Sequence, residues 1–162
     1  MATWPRADQT YKPQGAWYGK SIEAMTHDVR RGYDRAAEAT PGIRVVPVGD
    51  AWLRAMVSGV ADRNPYDGID ADKVDLWTYD GYHASVYGSY LEALVLFGAL
   101  TGRDPRSLGE AECSAFELGL SAAQASALQQ VAFDQLAAEG TLIAATKPAN
   151  AASPPAKCTA SH

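Results

Sequence analysis

The run "IRVVPV", residues 43–48, is the stretch on which the fold turns. It is short, apolar and β-branched, so it suits an extended backbone and reads as a strand covered on both faces. Pro47 lacks an N–H, which ends the strand early or places it near a sheet edge. Pro41 and Gly42 separate it from residues 21–38, where Ile22, Met25, Val29, Tyr33 and Ala36 recur at three- and four-residue steps. That spacing puts one apolar stripe on a helix. After Gly49, the segment "DAWLRAMVSG" reads as a second helix, with Asp50 as N-cap and Trp52, Leu53, Met56 and Val57 inward.

Further along, residues 61–75 form a polar, Asp-rich loop, and "LWTY" (76–79) reads as a brief extended segment. Residues 86–101, "VYGSYLEALVLFGALT", are apolar on nearly every side, with Gly102 as C-terminal cap. A helix of that kind has to be covered by other elements. Ser121 and Gln124 have capping-box spacing ahead of Leu128, Val131 and Leu136, and Gly140 closes that helix. Helix alternating with strand across short loops predicts an α/β domain over residues 1–145, a parallel sheet covered by helices. Residues 146–162 are rich in Pro, Ala and Ser, and read as a disordered tail.

The chain has 162 residues, enough for one domain, with 47% hydrophobic and 20% charged residues. A formal net charge of -5 argues against nucleic acid or an anionic membrane as partner, since both favour a basic face. No apolar run reaches the roughly 20 residues that span a bilayer. The start "MATWPRADQ" lacks the cationic and apolar architecture of a signal peptide, which leaves the compartment open. Cys113 and Cys158 show no spacing typical of a metal site or a disulfide scaffold, and two free thiols are expected.

The chemistry lies in "YDGYHAS", residues 79–85. Three residues of separation across a turn can bring the Asp80 carboxylate onto Nδ1 of His83. This fixes the tautomer that leaves Nε2 able to accept a proton, and it steadies the imidazolium that results. A His83 in the first turn of the following helix would feel the helix dipole oppose its protonation while Asp80 favours it. The competing structural readings are a surface pair or a helix-capping Asp80.

The block "DGYHASVYGSYLEALVLFGALTGRDP" resembles the closing block of the SGNH (GDSL-like) hydrolases, in which Asp-x-x-His supplies two members of a Ser-Asp-His triad. "TWPRAD", "VVPVGDAW" and "LGLSAAQASALQQVAFDQL" are similar to neighbouring strand, turn and terminal-helix segments of one branch, so the resemblance reaches about residue 140. It implies a partial three-layer α/β/α, flavodoxin-like domain whose N-terminal strands are missing. It also implies an esterase or deacetylase role for Asp80 and His83, without a cofactor. The family's Gly-Asp-Ser nucleophile block and its Gly-x-Asn-Asp block have no counterpart here. "GDA" at 49–51 ends in Ala51, which has no hydroxyl, and Ser85 and Ser89 read as capping or packing residues.

Three histories fit: a hydrolase whose upstream part is lost, a catalytically inactive truncated relative serving as a structural or interaction domain, or a site completed by a serine-bearing partner chain. A sheet without its first strands would expose an edge and favour self-association. Trp4, Trp17, Trp77 and nearby tyrosines would allow stacking of a carbohydrate ester, against the commoner role of aromatics in a core. Asp67, Asp70, Asp72 and Asp75, with Asp80 and His83, have the carboxylate density for Ca²⁺ but lack the Gly and terminal Glu of an EF-hand loop, so a solvated acidic loop is expected.

Overall fold

A computed structural model describes residues 3–141. The regular structure of the described residues is mostly helical: α1 (Ala7–Tyr11), α2 (Ile22–Glu38), α3 (Val48–Val57), α4 (Val86–Thr101), a 3₁₀ turn (Pro105–Leu108), α5 (Cys113–Glu117) and α6 (Ala122–Ala138). Among them there is no sheet, and the β pairing consists of two isolated bridges, Ala61 with Val74 and Trp77 with Ala84. This corrects the α/β expectation and the partial flavodoxin-like, three-layer domain with it. Among the described residues there is accordingly no sheet edge of the kind expected to drive self-association.

The reason lies in "IRVVPV". Its backbone leads directly into α3, which begins at Val48 with Pro47 in the N-cap position. Val46 and Val48 are buried, but Ile43 is 56% exposed. The segment's own backbone bonds are local, Ile43 N–H to Thr40 O and Val48 N–H to Val46 O. β-branched residues favour extended backbone, yet a strand exists only when a neighbour supplies its ladder. Asp50 accordingly lies in the first turn of α3 rather than at its cap. Its carboxylate meets Arg30 Nη1 at 2.9 Å, and the same guanidinium reaches Glu139 at 2.8 Å, so one α2 side chain ties α3 to the end of α6.

Val57, read as inward, is 64% exposed at the end of α3, while the helix bounds hold elsewhere. Ser21 caps α2 through the Ala24 N–H. Ser121 and Gln124 form a complete capping box on α6. α4 ends at Gly102 in the left-handed region. α4 is packed against α3 and α6, and it buries Leu91, Leu94 and Val95. Each fully buried side chain of this kind contributes on the order of 1.5–3 kcal/mol.

At the other end of the core, Trp52 on α3 stacks on Trp4 (centroids 5.0 Å apart, planes 10° apart) and meets Trp77 edge-on at 5.6 Å. Gly88 lets α4 cross this cluster, since a Cβ there would run into the Leu76 carbonyl and the Trp52 ring. Trp77 is 1% exposed and donates its indole N–H to Pro5 O at 2.8 Å. It is a core residue and not a stacking platform.

Cys113 opens α5 and is disulfide-bonded, which corrects the expectation of two free thiols. Cys158 and the predicted tail at 146–162 lie outside the described residues.

Candidate active site

The Asp-x-x-His motif occupies the turn of a minimal hairpin. Thr78 N–H donates to His83 O at 2.8 Å and Ser85 N–H to Leu76 O at 2.9 Å, closing two arms around the Trp77–Ala84 bridge. Gly81 makes the turn possible. Its φ of 67° is a left-handed conformation that side-chain-bearing residues resist, and Tyr66 Oη occupies the space a Cβ would need. The turn is anchored from outside by Asp8 N–H to Gly81 O (3.0 Å) and by Tyr66 Oη to Asp80 O (3.0 Å). Of "LWTY", expected to be extended throughout, Trp77 forms the bridge and Tyr79 already belongs to the turn, so the partner of the segment is the motif itself.

Within the turn, Asp80 uses both carboxylate oxygens. Oδ1 accepts from the Thr78 hydroxyl (2.7 Å) and from the Tyr82 and His83 backbone N–H groups (2.9 Å each). Oδ2 lies 2.6 Å from His83 Nδ1. The ring hydrogen bond of His83 comes first among the causes that hold the Asp80 carboxyl well below the usual range, ahead of the His83 N–H, the Thr78 hydroxyl and the Tyr82 N–H. A carboxylate kept ionised can accept from Nδ1 but not donate to it. Nδ1 carries the hydrogen, and Nε2 of the neutral ring is the nitrogen with a lone pair.

Asp80 is thus not a helix cap. That part falls to Ser85, whose hydroxyl oxygen accepts from the Tyr87 and Gly88 N–H groups while donating to Asp75 O at 2.6 Å. His83 precedes this cap by two residues, outside the first turn of α4 where the dipole argument had placed it. The imidazole is 67% exposed, beside the Tyr82 ring with centroids 4.4 Å apart. On the Tyr82 side, the Arg6 guanidinium sits 3.8 Å from the ring centroid, and Trp4 Nε1 donates to Tyr82 O at 2.9 Å.

Sequence reasoning missed Arg6, Tyr66 and Thr78. Arg6 and Tyr66 come from distant segments and left no local signal. Thr78, two residues ahead of Asp80 at a predicted strand end, was legible as a carboxylate donor.

No serine on the hairpin is available as a nucleophile, since Ser85 is committed to its cap. Asp67, Asp70, Asp72 and Asp75 do not converge. Asp70 pairs with Lys73, Asp67 accepts from Asn64, and Asp75 Oδ1 accepts from Trp77 N–H. Among the described residues no three His, Cys, Asp or Glu side chains are placed to hold a metal ion. No helix among them is long and apolar enough to cross a membrane.

These features define a small helical domain that displays an oriented Asp–His pair on a hairpin turn. Comparison with protein-family models, with curated proteins and with solved structures found no match.

Proposed function

We propose that Asp80 and His83 are the acid-base part of a serine-hydrolase site acting on an ester, whose nucleophilic serine lies outside these 162 residues. The observation that carries this reading is the 2.6 Å contact between Asp80 Oδ2 and His83 Nδ1 on an imidazole whose far side is open. In the proposed reaction His83 Nε2 takes the proton of the attacking hydroxyl and returns it to the leaving alkoxide. Asp80 holds the ring and stabilises its charged form. The low carboxyl pKa of Asp80 suits that part, because the acid stays ionised while the histidine cycles.

The test is to join the chain to the coding sequence immediately upstream and to assay a short-chain p-nitrophenyl ester. An in-frame Gly-Asp-Ser segment, hydrolysis by the joined protein and a loss of about 10²–10⁴-fold in His83→Ala are the expected results. Hydrolysis that survives His83→Ala refutes the assigned base.

The second reading is an inactive relative serving as a structural or interaction domain. The commitment of Ser85 to a helix cap favours it. An upstream sequence with no Gly-Asp-Ser segment, and a joined protein that does not react with a fluorophosphonate, would establish it.

A further inference from the structure

Beside the hairpin, the N-terminal segment, α1 and α2 enclose an open pocket of about 320 Å³. That is the lower end of the range of about 300–1,000 Å³ seen for small-molecule sites. Trp4, Trp17 and Met25 line it with apolar surface, and Arg6, Gln9 and Asp28 place charged and amide groups around them. Arg6 and Trp4 belong to both the pocket and the surroundings of His83. The Arg6 guanidinium stacks on Tyr82, Tyr82 lies against the His83 ring, and Trp4 is bonded to the Tyr82 carbonyl.

The walls are held in place. Trp4 is stacked on the fully buried Trp52. Gln9 Oε1 accepts from the Ala16 N–H while its amide nitrogen donates to Asp8. The Arg6 N–H points at Met25 Sδ, 3.2 Å away. The pocket is therefore largely pre-organised, which lowers the entropic cost of binding.

We infer that this pocket is a binding subsite for a neutral hexopyranose ring, the sugar portion of a carbohydrate ester whose acyl linkage lies toward His83. A pyranose presents an apolar C–H face and a polar equator of hydroxyls, which matches indoles and a thioether bordered by Arg6, Gln9 and Asp28. A fatty-acyl chain fits poorly against three polar side chains. The one cation in the lining, Arg6, is already paired with Asp8 at 3.1 Å, so a phosphorylated ligand finds no unpaired positive charge there. The substrate assignment rests on the hydrolytic reading of Asp80 and His83, whereas the binding of a sugar does not.

The experiment titrates the intact chain with methyl β-D-glucopyranoside and methyl β-D-galactopyranoside. Tryptophan fluorescence and amide chemical shifts are the readouts. The expected result is a saturable response in the millimolar range for at least one glycoside, with shift changes at Gln9, Trp17, Asp28 and Val29. The response weakens at least tenfold in Trp17→Ala and is unchanged in Phe116→Ala, an exposed α5 position that does not line the pocket.

Dispersion of the amide spectrum of Trp17→Ala confirms that this variant is folded. Should it unfold, Asp28→Ala takes its place and is expected to weaken binding several-fold. The inference is overturned by no saturable response from either glycoside up to its solubility limit. It is also overturned by shifts that map elsewhere, or by saturation of the same residues with octanoate in preference to a sugar. Sugar binding without His83-dependent hydrolysis in the joined protein would leave the subsite standing and remove the catalytic reading. The reverse pattern would keep the base and discard the sugar.

Discussion

Nδ1 of His83 lies 2.6 Å from Oδ2 of Asp80 although the imidazole is 67% exposed to solvent. An isolated ion pair at such a position holds its geometry weakly, because solvent screens it and both side chains lose rotamer freedom. Here the carboxylate is fixed independently of the ring by Thr78 and by two backbone N–H groups. The turn orients the acid, and the acid orients the histidine. The expected outcome is that neutral His83 exists as the Nδ1–H tautomer and that Asp80→Asn shifts it toward Nε2–H. Imidazole ¹⁵N chemical shifts measure this. Equal tautomer populations in the two proteins would show that Asp80 does not set the ring.

The turn depends on Gly81. With φ at 67°, an alanine there is strained by roughly 1–2 kcal/mol. Its Cβ would also displace Tyr66 Oη, which donates to Asp80 O. Gly81→Ala is expected to lower the urea midpoint by a corresponding amount and to weaken the Asp80–His83 contact, seen as the same tautomer shift as in Asp80→Asn. Tyr66→Phe separates the two effects: it removes the Asp80 O contact with little backbone strain, and its loss of stability should be the smaller one.

How much of this was legible in the sequence depended on whether a signal was local. Ser121 with Gln124, and Gly102, mark helix ends because caps act within four residues, and they are found where the pattern placed them. The Asp80–His83 contact was legible for the same reason. "IRVVPV" misled because β-branching reports a preference for extended backbone, and the presence of a partner strand is not a local property. Asp50 misled as a cap because Val48 and Gly49, which look like strand and turn, already belong to α3. Arg6 reaches Tyr82 across the fold, a contact that no spacing rule exposes.

Gly88 offers a case in which two effects have opposite signs. Alanine is favoured over glycine in a helix by about 1 kcal/mol, so Gly88→Ala on an exposed surface would stabilise. At this position the new methyl meets the Leu76 carbonyl and the Trp52 ring. Trp52 is fully buried between Trp4 and Trp77, so the ring has no room to retreat. Overpacking of about 1–3 kcal/mol then exceeds the helix gain. The expected net effect is destabilisation, read as a lower urea midpoint with an unchanged slope. A raised midpoint would mean that α4 and the hairpin are not in contact there.

Ser85 joins the motif to α4. Its hydroxyl accepts from two N–H groups at the start of the helix and donates to Asp75 O. Ser85→Ala should cost about 1 kcal/mol through the lost cap, and more if Asp75 O is left without a donor. Amide hydrogen exchange at Tyr87 and Gly88 should quicken, while Leu94 and Val95 in the buried part of α4 stay protected. Uniform loss of protection along α4 would show that the helix opens as one unit rather than fraying from this end.

The Asp80 carboxyl gives a dependence on pH whose sign is fixed by the geometry. Its folded pKa is depressed, first by the His83 ring hydrogen bond and then by the His83 N–H, Thr78 and Tyr82. Its unfolded value is the ordinary one, about 3.9. The stabilisation it contributes is therefore complete above the unfolded value and is lost as the pH falls through the lower folded value. In the native protein the Asp80 carboxyl ¹³C resonance should stay in its ionised position at pH values where exposed carboxylates are already half protonated. His83→Ala removes the largest cause and keeps the backbone donors, so the titration should move upward without reaching the ordinary value. A titration unchanged by that substitution would show that the turn alone holds the acid ionised. His83 would then be a passenger on the hairpin and not the partner around which it is built.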